Sequence, residues 1–179
     1  MFYYCTALKE LDVSGFNTSN VTNMYEMFSN CSILKVLDVS GFDTSKVTNM
    51  SSMFSACSSL AVLDVSGFDT ANATNMSSMF SGCSSLAELD VSGFNTAKVV
   101  SMSYMFSGTH VALLDLSNFS LDKITSESGV SFMLNTISNV KPGRTLILGD
   151  SFVGRGYTTS IVKSTTFPFS TLVLPAGTN

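Results

Sequence analysis

The hexapeptide Leu-Asp-Val-Ser-Gly-Phe begins at Leu11, Leu37, Leu63 and Leu89, always 26 residues apart. A variant, Leu-Asp-Leu-Ser-Asn-Phe, begins at Leu114, one residue early beside a turn shortened around His110. Residues 37–62 and 63–88 differ at only five positions, so one module can be read for all. A fixed period of this size marks units that cannot bury an apolar face alone and must stack on their neighbours. The expected fold class is therefore a repeat solenoid, leucine-rich-repeat-like. Short parallel strands are expected on one face, with short helical turns and loops on the other.

Two hydrophobic periods alternate inside each module. Leu63 and Val65 point inward and Val62, Asp64 and Ser66 outward by the two-residue alternation of a strand. Gly67 interrupts the strand and Phe68 turns back inward. Met76, Met79, Phe80 and Cys83 then fall at i, i+3, i+4 and i+7, which predicts a short helical segment. Ser77, Ser78 and Ser81 between them are expected to face solvent, and Val47-Thr48-Asn49 and its equivalents to form a second brief strand. Stacking at about 4.8 Å per module lines up equivalent side chains as spines. One spine is Leu11, Leu37, Leu63, Leu89 and Leu114. Two more are Phe16, Phe42, Phe68, Phe94, Phe119 and Phe2, Phe28, Phe54, Phe80, Phe106, with methionines filling the gaps between them.

Regularity divides the chain into residues 1–120, with the regular modules, and 121–179, with irregular rungs that cap the same stack. Residues 124–138 carry an insertion, and Leu172-Val173-Leu174 follows Leu146-Ile147-Leu148 at the 26-residue interval. Because Met1-Phe2 aligns with Met27-Phe28, the chain is expected to open inside a module, as a piece of a longer array.

Composition narrows the function classes. Nine basic against thirteen acidic side chains give a net charge of −4, which disfavours nucleic acid, whose recognition needs a basic stripe. Mean hydropathy is +0.33, yet no apolar run approaches the roughly 18 residues of a membrane span. The single histidine, His110, reads as a surface turn residue, and Gly154-Arg155-Gly156 lacks the full pattern of a phosphate loop.

Cys5, Cys31, Cys57 and Cys83 recur once per module, with Thr109 in the fifth. In-register side chains on parallel strands point the same way, so neither disulfides nor a converging thiolate site is expected; the thiols read as small buried hydrophobes. Asp12, Asp38, Asp64, Asp90 and Asp115 form an outward ladder beside Ser14, Ser40, Ser66, Ser92 and Ser117. Aspartate is poor in strands and like charges on neighbouring strands repel, so the ladder needs an explanation. Three readings stand open: carboxylates accepting hydrogen bonds within the turn, a calcium-binding stripe, or the paired acids of a glycoside hydrolase.

The succession Leu-Asp-Val-Ser-Gly-Phe, Val-Thr-Asn-Met, Met-Phe-Ser-x-Cys-Ser-Ser-Leu resembles the 26-residue repeat of BspA-like leucine-rich repeat surface proteins of bacteria. The resemblance covers residues 1–120 clearly and 121–179 loosely. It implies an extracellular location on the bacterial cell surface and, in several members, adhesion to host proteins. The general leucine-rich pattern has asparagine where this chain has Phe16, Phe42, Phe68 and Phe94, so an asparagine ladder cannot hold these turns.

Specificity is sought where otherwise equal modules differ. One varying column is Asn20, Lys46, Asn72, Lys98 and Lys123, and a second is Glu26, Ser52, Ser78 and Tyr104. A third, Glu10, Val36, Val62, Glu88 and Leu113, flanks the aspartates on the outward strand face. Apolar residues on an exposed face mark contact surfaces. The candidate interaction face is thus Glu10, Asp12, Val36, Asp38, Val62, Asp64, Glu88, Asp90, Leu113 and Asp115. With the resemblance, these residues point to a non-enzymatic, monomeric protein–protein interaction module for host or cell-surface proteins. No cofactor, metal, catalytic residue or membrane insertion is expected. The alternative is a structural spacer of a surface protein, without a ligand of its own.

Overall fold

The computed structural model describes residues 1–131, 133–134, 144–153 and 171–175. Regular secondary structure is sparse among them. Strands β1 (Leu113–Leu116), β2 (Thr145–Leu148) and β3 (Thr171–Val173) form a parallel sheet in the order β1-β2-β3. One short α-helix spans Asp150–Val153 and one 3₁₀ turn spans Glu127–Gly129. Leu114 pairs with Leu146 and Leu146 with Leu172, so the second step keeps the 26-residue interval while the first absorbs extra chain. Lys141-Pro142-Gly143, where the sequence Lys-Pro-Gly-Arg before Leu146 predicts a turn, and the Gly154-Arg155-Gly156 segment lie outside the described residues.

Successive modules lie side by side. Parallel bridges join Asn23 to Asn49, Asn49 to Asn75 and Asn75 to Ser101, which is where the second brief strand is expected. On the other side Val36 bridges to Val62, and the Ala61 amide donates to the Lys35 carbonyl at 3.0 Å. The two apolar periods meet in one core. Leu37, Leu63, Leu89 and Leu114 are buried, as are Phe42, Phe68, Phe94 and Phe119, and Phe28, Phe54, Phe80 and Phe106. Rings of this last spine stack nearly parallel, with centroids 5.7 Å apart for Phe28–Phe54 and 5.8 Å for Phe54–Phe80. That separation suits offset stacking, which the ring quadrupole favours over a face-to-face sandwich. In the first module Leu11, Phe16, Phe2 and Cys5 are only half-buried against the core.

The expected helical segment is corrected by the structure. Residues 76–83 form turns, although Met76, Met79, Phe80 and Cys83 are all buried as the spacing requires. Two four-residue turns close with Met79 N–H to the Met76 carbonyl (3.2 Å) and Cys83 N–H to the Phe80 carbonyl (3.1 Å). Their third residues, Ser78 and Gly82, have φ of 58° and 75°, the left-handed conformation that a type II turn demands there. Tandem turns place residues i, i+3, i+4 and i+7 inward just as a helix does, which is why the pattern misleads. The hydrogen bonds explain the choice. Amides of Met76, Ser78, Phe80 and Gly82 donate to the carbonyls of Ser101, Ser103, Met105 and Ser107 in the next module, at 2.7–3.0 Å. A helix would turn the Phe80 and Gly82 amides back to the carbonyls four residues earlier, away from the next module. Left-handed residues swing every second amide sideways, so turn and ladder are satisfied together. Ser77, Ser78 and Ser81 are consequently half-buried between neighbours rather than fully exposed, and Ser51 is buried.

Candidate interaction face

The outward face is built by a repeated local device. Oδ1 of Asp12, Asp38, Asp64, Asp90 and Asp115 each accepts the backbone N–H two residues on, from Ser14, Ser40, Ser66, Ser92 and Ser117, at 2.9 Å. This Asx-turn directs the chain toward Gly and Phe; the strand expected before it in every module is formed only at Leu113–Leu116, the Leu-Asp segments of the first four modules being extended chain without a regular strand. The turn is the first of the three readings of the ladder. The Ser14 amide, followed by its hydroxyl, holds the Asp12 carboxyl below the usual range. For Asp38, Asp64 and Asp90 the hydroxyls of Ser40, Ser66 and Ser92 have the larger effect and the amides the second. The carboxylates therefore stay ionised well below neutral pH.

Of the ten candidate residues, nine are exposed and Asp115 is half-buried. Val36, Val62 and Leu113 keep 60%, 61% and 52% of their surface in water, unusual for side chains of this kind. Val62, Asp64, Glu88, Asp90, Leu113 and Asp115 line two adjoining depressions that share Ala87, Glu88, Leu89 and Asp90. Glu10, Asp12 and Val36 line a third, with Lys9 and Lys35. Asp38 lines none of these three. Chemically, the face offers apolar contact beside a row of hydrogen-bond-accepting anions.

The other two varying columns do different work. Lys46 Nζ donates to Asn20 Oδ1 at 2.8 Å and Lys98 Nζ to Asn72 Oδ1 at 2.7 Å, so the first column is a seam between modules. The second column, Glu26, Ser52, Ser78 and Tyr104, is the left-handed position of the first type II turn, with φ of 53–58°.

Several stabilising residues escaped the sequence reading. Thr18, Thr44, Thr70 and Thr96 are buried, and each hydroxyl donates to a carbonyl of the next module, from Asp43, Asp69, Asn95 and Ser120, at 2.9–3.1 Å. The amides of Asp43, Asn95 and Ser120 donate back to Thr18, Thr70 and Thr96. A threonine ladder thus fills the role asparagine cannot play here. Its signal was a threonine two residues after the Phe of each Leu-Asp-Val-Ser-Gly-Phe copy. Arg144 is buried as well: Nε donates to the Val111 carbonyl (2.8 Å) and Nη2 to that of Thr109 (3.1 Å).

The cysteines are free thiols, Cys5 half-buried and the other three buried. Sγ of Cys31, Cys57 and Cys83 donates to the carbonyls of Phe2, Phe28 and Phe54, 29 residues earlier. Burial pushes the Cys57 thiol up to about 12, and those of Cys31 and Cys83 upward too. Among the described residues no group of three or more His, Cys, Asp or Glu side chains is arranged to hold a metal ion, and no helix is long and apolar enough to cross a membrane. His110 sits half-buried, its Nδ1 2.7 Å from the Ser84 carbonyl, where Ser58 and Ser84 place hydroxyls in earlier modules.

Residues 1–62 and 33–141 match the repeat family described as Mycoplasma protein of unknown function, DUF285, and the chain belongs to that family. No curated protein and no solved structure matches it.

Proposed function

We propose that the chain is a stretch of leucine-rich-repeat-like solenoid from a bacterial surface protein of the BspA-like kind, extracellular and non-enzymatic. Residues 1–120 supply regular rungs and 121–179 the irregular ones that close the stack. Its work is protein–protein contact, in adhesion to host or neighbouring cells, through the face that carries the aspartate ladder. The observation behind this reading is the exposure of Val36, Val62 and Leu113 on that face. Burying them in a partner would recover hydrophobic free energy that the fold itself leaves unused. Repetition supports contact rather than catalysis: each Asp-Ser turn makes the same local hydrogen bond, whereas an active site requires one arrangement unlike the rest.

The test is capture of the chain by immobilised matrix proteins, beside a variant carrying Val36→Ser, Val62→Ser and Leu113→Ser. Binding that the substitutions reduce at least tenfold supports the proposal. Equal and negligible binding by both chains would leave the spacer role in its place.

A further inference from the structure

We infer that the groove across the third, fourth and fifth Leu-Asp segments receives an extended basic polypeptide, with apolar side chains between its lysines or arginines. The inference rests on the reading that this face is a contact surface, and it adds the chemistry of the partner. It comes from a break in the repeat. The residue two before each Leu-Asp is Lys9, Lys35, Ala61, Ala87 and Ala112 in succession.

In the first two modules the chain supplies its own cations. Lys9 and Lys35 line the depression that also holds Glu10, Asp12 and Val36. In the next three modules alanine takes the lysine position, but the acids remain. Asp64, Glu88, Asp90 and Asp115 line the two adjoining depressions, together with Val62, Leu113 and Ala61, and no lysine or arginine is among their described lining residues. Replacing a four-carbon ammonium chain by a methyl group leaves the charge of these acids unbalanced among the described lining residues. What suits the later three is an aliphatic stem that can lie along valine or leucine and carry a cation to the carboxylates. The depressions share residues of the fourth module and so run on from one module to the next, which suits an extended segment lying along the stack.

Isothermal titration of the full chain with three synthetic octapeptides tests this: alternating arginine–leucine, serine–leucine and glutamate–leucine. The arginine peptide should bind at least tenfold tighter than the serine peptide, the glutamate peptide should not bind, and the preference should shrink in concentrated salt. Ala61→Lys with Ala87→Lys, which rebuilds the first-module arrangement, should weaken the arginine peptide at least tenfold, whereas Ala71→Lys at another corner should not. Equal binding of the arginine and serine peptides would overturn the basic partner. If the valine and leucine substitutions still abolished capture by matrix proteins, the contact face itself would survive. Arginine-peptide binding untouched by the double lysine variant would overturn the location.

Discussion

Two regions of this molecule join neighbouring modules in different ways. Across residues 24–108 the continuous hydrogen-bond ladder runs along the Met-Phe turns, where left-handed residues present alternate amides to the next module. Across 113–148 and 171–173 it runs along the Leu-Asp side as a regular three-stranded parallel sheet. Both regions carry the same Asx-turn, at Asp64 and at Asp115. The strands that pair beyond it differ, since Leu146-Ile147-Leu148 and Leu172-Val173 lack the aspartate of Leu114-Asp115-Leu116. The turn ladder also runs on past residue 108, from the amides of Met102, Tyr104 and Phe106 to the carbonyls of Gly129, Ser131 and Met133, its step lengthened from 25 to 27 residues, while the strands absorb the 32-residue step from Leu114 to Leu146. A strand pair needs only three or four aligned residues, so it tolerates the insertion.

The largest expected effect tests the core that both regions share. Phe54 is fully buried, stacked between Phe28 and Phe80. Phe54→Ala should cost about 3–5 kcal/mol, because the rigid backbones on either side cannot close the cavity. Chemical denaturation reads this directly, and a midpoint within error of the parent chain would break the account of the spine. Phe16→Ala, in the half-buried first module, should cost distinctly less.

A backbone contact distinguishes the regions next. Beyond the β1–β2 pair the chains approach so closely that a Cβ at Gly149 would run into the Ser117 carbonyl, whereas one at Gly41, Gly67 or Gly93 would meet nothing within 4 Å. Gly149→Ala should destabilise by about 1–3 kcal/mol, the usual cost of forcing atoms into a packed site. Gly67→Ala should be close to neutral in the same thermal melt. Equal effects would mean that the sheet region is no more tightly joined than the turns.

The threonine ladder belongs to the regular region. Thr70 Oγ1 donates to the Asn95 carbonyl at 3.1 Å and accepts its amide at 2.7 Å. Thr70→Val keeps the shape and leaves both groups without this partner. The expected loss is about 1–2 kcal/mol, measured by denaturant titration beside Thr22→Val, an exposed threonine outside this ladder. A loss no greater than that of Thr22→Val would remove the ladder as a stabilising element.

What was legible in the sequence was set by what repeats. The spines, the free thiols, the Asn49 bridges and the Leu146–Leu172 register all follow from period and alternation. The conformation of residues 76–83 was not, because burial at i, i+3, i+4 and i+7 has two backbone solutions, and only the need to serve a neighbour separates them. Arg144 was hidden for the opposite reason, since it occurs once and caps carbonyls of the irregular turn before β1. For the candidate face, the exposure of Val36 and Val62 was predictable from strand alternation. The change in charge along it was not, because Lys35 and Ala61 look alike in a pattern that records only inward and outward.

The smallest effect separates the two kinds of ladder most cleanly. The left-handed position of the second type II turn is filled by Tyr4, Asn30, Ala56, Gly82 and Gly108 in succession, at φ of 57–75°. A side chain in that conformation crowds its own carbonyl, whereas glycine adopts it freely but loses more backbone entropy on folding. At Ala56 relief should outweigh entropy, so Ala56→Gly should stabilise by about 0.5–1 kcal/mol. Gly82→Ala should do the reverse by a similar amount, since its Cβ would sit 3.4 Å from the Ala56 Cα, an ordinary contact that adds no clash. Opposite and comparable shifts in melting temperature would isolate conformational strain as the cost of aiming alternate amides at the next module. Shifts of the same sign would mean that side-chain packing sets the energy of these turns, and the turn ladder would lose the property that distinguishes it from the sheet.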